Sequence, residues 1–294
     1  MSMVAGSLVE AVRSDIGAFL WPSITQTGHG RLSLSLRRGG ELRQAQTWLT
    51  KVMEGWASSA TLPMLYTGGF VSSELVQRAR QANGIFYRSM IPDVYSAIAF
   101  ARVLKHYYYS HEPLAVGGAS AHSNGASAFK GKRDAQEMGT DSPMMKFLSE
   151  ANIPFHADLP STADGAHLRS NQVIVYESYL QSAHLSSHTL LKNDPLADRR
   201  RQLGFILRTA KSYLREEAQR WAESFARQHG LSLADATQRR FAALSPVRTI
   251  SKHTERMAKK FKTVHINGES KLPLKDIHEA CIVAAALRKI RHLG

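Results

Sequence analysis

The chain has a single cysteine, Cys281, in 294 residues. One thiol excludes an intramolecular disulfide framework and a multi-cysteine zinc site, and it points to a reducing compartment. Set in the apolar run CIVAAAL, it is expected to pack in a core rather than act as a nucleophile. No stretch reaches the roughly 18 apolar residues that a membrane-spanning helix needs. Glu10, Arg13 and Asp15 interrupt the first twenty residues, so no secretory signal is read there. There is no H-E-x-x-H, C-x-x-C or G-x-S-x-G, and zincin, zinc-ribbon and hydrolase-elbow readings lack support. GASAFKGKR approaches a P-loop but has one residue too many between Gly125 and Gly131, and no hydroxyl residue after Lys132. It is rejected as one. The expectation is a cytoplasmic protein, with peripheral contact at the inner membrane face left open.

What is present is globular in composition: 43% of residues are hydrophobic and 21% charged, enough to bury a core in one large domain or two ordinary ones. The formal charge of +14 is unevenly placed. From residue 192 to the end there are 22 Lys and Arg against 10 Asp and Glu, so the first 191 residues are nearly neutral. A basic face of this kind attracts an anionic polymer or an anionic membrane surface, and it also occurs simply as a solvated helical surface. Nucleic acid ranks low as a partner, because the basic part has no RNP aromatics, zinc framework or clear recognition helix.

Residues 16–36 alternate apolar and polar and read as two strands. Helical spacing follows from Glu41 to Trp56, then a second helix capped by Ser72 or Ser73 and ended by Asn83 and Gly84. GIFYRSMIP reads as a short strand, DVYSAIAFARVLKHYYY as a helix and LAVGG as a further strand. Alternation of this sort implies an α/β domain with much of its sheet parallel. KGKRDAQEMGTDSP reads as an exposed connection. Apolar anchors resume at Met145, Phe147, Leu148, Val173, Val175 and Tyr179. Past Pro195 the chain reads as mostly helical, with a stripe of Leu214, Ala218, Trp221 and Phe225 stopped by Gly230, and a last helix from Asp276 to Leu293.

The chemistry-bearing run is Ile91 to Ser127. Asp93 follows Pro92 at a helix start, where backbone N–H groups hold a carboxylate charged. There it can act as a base toward a bound hydroxyl, or serve as a cap. Gly117 to Ser127 is built from small and polar residues, so backbone can approach a ligand while Ser120, His122, Ser123 and Asn124 offer polar groups to a sugar or phosphate; a strand-exit turn is the plainer alternative. No carboxylate lies near His122 in sequence to complete a metal site. The other histidines, such as His156, His167, His184 and His188, show no ligand spacing. Tyr107, Tyr108 and Tyr109 offer an aromatic platform, or a helix end entering a strand.

On these residues the chain resembles the second half of family 2 glycosyltransferases of the GT-A fold, in Pro92-Asp93-Val94-Tyr95-Ser96 before a helix and the stretch Gly118 to Ser127 after the next strand. The resemblance runs from about Phe19 to Leu185, taking in LWPS, LPMLYTGGFV and EANIPFHADLP. It implies a partial GT-A, Rossmann-like sheet with flanking helices; the mostly helical basic C-terminal region that follows is not covered by it. The division it implies is 1–130 as the acceptor-side half, 131–191 as a family-associated extension and 192–294 as the basic part. The implied activity is transfer of a sugar from a nucleotide-sugar donor to a hydroxyl of a glycan or lipid-linked acceptor, as in envelope polysaccharide synthesis. Asp93 would be the catalytic base, with Tyr95, Ser96, Ser120, His122, Ser123 and Asn124 toward substrate. A divalent cation, Mn or Mg, is implied as well, yet the D-x-D that would bind it occurs nowhere in this sequence. The expectations are therefore a truncated or misplaced start, a partner chain supplying the nucleotide-binding half, or a noncatalytic remnant that binds an anionic polymer.

Overall fold

The computed structural model describes residues 9–24, 30–80, 84–121, 153–161, 168, 170–185, 195–210, 215–234, 263–267 and 274–292. Within them lie six strands: β1 (Ala11–Leu20), β2 (Arg31–Ser35), β3 (Gly40–Gln44), β4 (Gly69–Val71), β5 (His106–Ala119) and β6 (Thr263–Asn267). Seven helices accompany them: α1 (Ala45–Met53), α2 (Ser73–Ala79), α3 (Pro92–Val103), α4 (Asn171–Gln181), α5 (Pro195–Thr209), α6 (Arg215–Gln228) and α7 (Ile277–His292). The α/β class expected from the alternation is present. Local signals act where expected: Ser72 Oγ accepts from the Leu75 N–H to start α2, and Pro195 opens α5, where its missing N–H costs nothing. Gly230, at φ 62°, closes the run that begins with α6.

The strands form one mixed sheet in the order β3-β5-β1-β2-β6, with β4 also on β1. β1 pairs in parallel with β5, antiparallel with β4 through Ala11–Arg13, and antiparallel with β2 through Ala18–Leu20. The expectation of a largely parallel sheet needs correction, since β1 and β5 are the one parallel pair among the described strands. Alternation along the chain does not say on which edge, or in which direction, a short strand lands. β3 runs directly into α1 and pairs antiparallel with the start of β5. Residues 84–91 form no strand. The helix expected to reach Tyr109 ends at Val103, where Leu104 turns extended at ψ 143°, and the three tyrosines enter β5, as their strand preference favours. β6 lies in the part expected to be helical and pairs antiparallel with β2.

The two faces of the sheet are covered unequally. On one face, a continuous core joins Ala11, Leu49, Ile98, Tyr107, Val173 and Trp221, so α1, α3, α4, α5 and α6 share one interior across positions 130 and 191. Gln202 Nε2 donates to the Met53 carbonyl at 3.1 Å, and Trp221 Nε1 to the Pro160 carbonyl at 2.7 Å. At the end of α1, Gly55 has φ 73°, and a Cβ there would stand 1.9 Å from the Phe205 ring on α5. On the other face a small core of Phe19, Leu32, Leu274 and Ala280 sits beneath α7. Among the described residues no helix is long and apolar enough to cross a membrane.

Candidate functional site

Asp93 is the second residue of α3, and Ile91 is the N-cap. The carboxylate therefore stands inside the first turn, at the positive end of the helix dipole, and not at the capping position. Its Oδ1 accepts from the Val94 N–H at 2.9 Å; Oδ2 takes no hydrogen bond among the described residues. The residue is partly exposed.

Beside this turn runs the segment Leu62 to Gly69, held in a fixed path by named contacts. Ser96 Oγ donates to the Asp93 carbonyl at 2.9 Å and accepts from the Leu65 N–H at 3.1 Å. The buried Arg13 donates from Nε to the Ala60 carbonyl at 2.7 Å and from Nη1 to the Thr67 carbonyl at 2.5 Å. The Ser14 N–H donates to the Gly68 carbonyl at 2.8 Å. Two glycines make the turn possible: Gly68 has φ 78°, and a Cβ on Gly69 would lie 1.9 Å from the Met64 carbonyl oxygen. Burial lowers the Arg13 pKa from its ordinary value, while Tyr109, Asp15, Tyr107 and Asp93 oppose the shift. Burial raises the Tyr87 pKa, helped by the Asp93 charge. Among the described residues, Arg13 and Tyr87 are two ionisable neighbours that feel Asp93. Tyr66, next to Leu65, is 60% exposed.

Beyond this segment the same face of the sheet is open. Paired residues of adjacent strands point to one side, which groups Ala18 of β1 with Ser33 of β2 and Gly117 of β5. Ser33 is in turn opposite His265 of β6, with Ser33 Oγ and His265 Nδ1 hydrogen-bonded at 2.9 Å. Ala18 is exposed although its strand is central, and His265 and Arg31 are exposed too. The result is a shelf of small and polar side chains at the carboxyl ends of the parallel pair. Thr67 borders it, its Cγ2 standing 3.4 Å from the place of a Cβ on Gly117.

The remaining expected site residues are distributed differently. Tyr95 has no exposed surface; it packs edge-on against Phe86 at 6.0 Å, and burial pushes its hydroxyl up to about 12. Ser96 is buried and positions the Asp93 turn, as described. Ser120 follows the end of β5, where the Trp21 N–H donates to the Ala119 carbonyl at 2.9 Å. His122, Ser123 and Asn124 lie outside the described residues, as do His167, His188, Met145, Phe147, Leu148 and Leu214. Tyr107 is fully buried and Tyr109 nearly so. Cys281, expected in a core, is exposed on α7, because only one stripe of that helix meets the sheet.

Sequence reasoning missed Arg13, Ser33, His265 and Tyr66. RLSLS does place Arg31, Ser33 and Ser35 on one side, but only the pairing with β1 shows that this side is open. It also missed Glu177 on α4, 1% exposed, whose Oε2 accepts from the Ser89 hydroxyl. Burial holds its carboxyl above the ordinary range.

The donors around Asp93 do not fit the implied divalent cation. Among the described residues a charged neighbour is the Arg13 guanidinium, a cation itself, and Asp15 is engaged by the Tyr109 hydroxyl at 2.5 Å. Among the described residues no three His, Cys, Asp or Glu side chains are grouped to hold a metal. No family model, curated protein or solved structure matches the chain.

Proposed function

We propose that the α3 turn and the adjoining shelf form the acceptor side of a sugar-transfer site. The observation that carries this reading is the position of Asp93, partly exposed with one carboxylate oxygen unengaged among the described residues, on the side of the segment that borders an open floor at the carboxyl ends of the parallel pair. Such a crevice is where open α/β sheets take ligands. Ser33, His265 and the backbone at Gly117 suit hydroxyl-rich ligands, and the exposed Tyr66 ring suits the apolar face of a sugar. Asp93 would accept the proton of an acceptor hydroxyl as that oxygen attacks the sugar carbon, and the bond to the leaving diphosphate breaks. The donor side, which must neutralise the diphosphate, is assigned to residues beyond this site or to another chain.

The test has two arms. With nucleotide-sugars, Mn²⁺ and saccharide acceptors, Asp93→Asn should lower any transfer about 10²–10⁴-fold, the usual loss for a general base, while leaving acceptor binding intact. In the absence of transfer, NMR titration with the acceptors should move the signals of Ser33, His265 and Asp93. If no nucleotide-sugar is turned over and no saccharide shifts those signals, the reading fails.

A further inference from the structure

On the opposite face, the space between α7 and the sheet forms a cavity of about 500 Å³. Its origin is an irregularity in the central pair. Ser14 is opposite Ser110 and Ile16 opposite Ala115, so β1 spends one residue where β5 spends four, His111 to Leu114. A proline at position 113, which cannot donate to a ladder, is at home in such a bulge. The excursion opens a gap under α7, which a single row of helix side chains does not fill. The inner wall is apolar, with Leu34, Val116, Ala284 and Leu287, while Leu114 is 37% exposed.

The charged lining is one-sided: Arg37, Arg38, Arg288 and Lys289 against Glu112. Glu112 is already engaged, accepting from the Gly39 N–H at 3.1 Å and lying 3.7 Å from Arg288 Nε. Arg37 Nη2 donates to His111 Nε2 at 3.3 Å, and burial followed by the Arg37 charge lowers the pKa of that imidazole. A neutral imidazole leaves the arginine charge uncompensated. Arg38 and Lys289 have neither hydrogen bond nor ion pair among the described residues. Like charges gathered at one mouth repel each other, so an anion arriving there gains from several at once.

We propose that this cavity is a binding site for an amphiphile with a phosphate-type anionic head and a single hydrocarbon chain, the head among Arg37, Arg38, Arg288 and Lys289 and the chain against Leu34, Val116 and Leu287. The volume lies within the range of small-molecule sites. The proposal stands independently of the reading of Asp93, since the two sites occupy opposite faces of the sheet.

Decyl phosphate below its micellar concentration is the probe, with the full chain. Calorimetry should show saturable binding near one per chain, and the probe should slow alkylation of Cys281, which lines the same cavity. Inorganic phosphate at the same concentration should give neither effect, which separates a free anion from an amphiphile. Decyl trimethylammonium should not bind. Arg38→Glu with Lys289→Glu, both at exposed positions, should weaken decyl phosphate about tenfold or more, the loss expected from charge-assisted contacts. Ala285→Trp should block the probe by filling the space. Equal protection by inorganic phosphate, or unchanged affinity in the charge-reversed and tryptophan variants, overturns the assignment.

Discussion

α3 and α7 are both rich in apolar residues, yet the fold treats them differently. Every residue of α3 from Val94 to Arg102 is buried, because it is packed among α1, α2 and α4 and shares a core with Tyr107 of β5. α7 meets the sheet chiefly through β5 and β1, and it leaves Ile282 56% and Ile290 66% exposed. An apolar helix thus has no fixed degree of burial; the number of layers around it decides. The thickly covered side supplies rigidity for the Asp93 turn, and the thinly covered side leaves the cavity under α7.

The contrast can be broken most forcefully on the α3 side. Ile98→Ala, at a position with no exposed surface, should lower unfolding free energy by about 2–5 kcal/mol, the range for truncating a buried aliphatic side chain. Urea unfolding followed by far-UV circular dichroism measures it; a loss below about 1 kcal/mol would mean that α3 is not the packed centre described.

Glu177 gives a smaller effect of opposite sign. Burial raises its folded-state pKa above the unfolded value of 4.5. Both states are protonated well below 4.5, and stability is lost as pH rises through the higher folded value. Glu177→Gln should therefore raise Tm at pH 7 by about 2–4 °C, the shift that one kcal/mol gives in chains approaching this length. The gain should vanish toward pH 4. A gain that persists at low pH would show that it does not come from relieving a buried charge.

The smallest effect belongs to α7. Ile290→Ser, on its exposed side, should change stability by no more than about 0.5 kcal/mol. A cost comparable to that of Ile98→Ala would mean that this side of α7 is covered as α3 is, and the comparison would collapse.

Much of the local structure is legible in the residues. Ser72 as a cap, Pro195 at a helix start and the stripe through Ala218, Trp221 and Phe225 are short-range features, set by hydrogen bonds and spacing within a few residues. Asp93 at a helix head is legible for the same reason. The shelf is not, because Ser33 and His265 are 232 residues apart in sequence and meet only through strand pairing. β6 is also hard to see beforehand: five residues with Val264 and Ile266 alternating carry little signal until β2 offers an edge. Tyr95 looks like a site residue beside Asp93, yet two residues along a helix turn the side chain by about 200°, enough to carry it from the surface into the core.

By itself the sequence determined the α/β class, the helix starts at Ser72 and Pro195, the uneven charge and the absence of a D-x-D. These rest on composition and near-neighbour chemistry, which the chain carries before it folds. Only the tertiary structure decided that the sheet is mixed, that Cys281 is exposed, that the shelf around Ala18 and Ser33 is open and that four cations line the cavity under α7. Those depend on which strand edges pair and how many layers cover each face, and contacts of long sequence separation settle both.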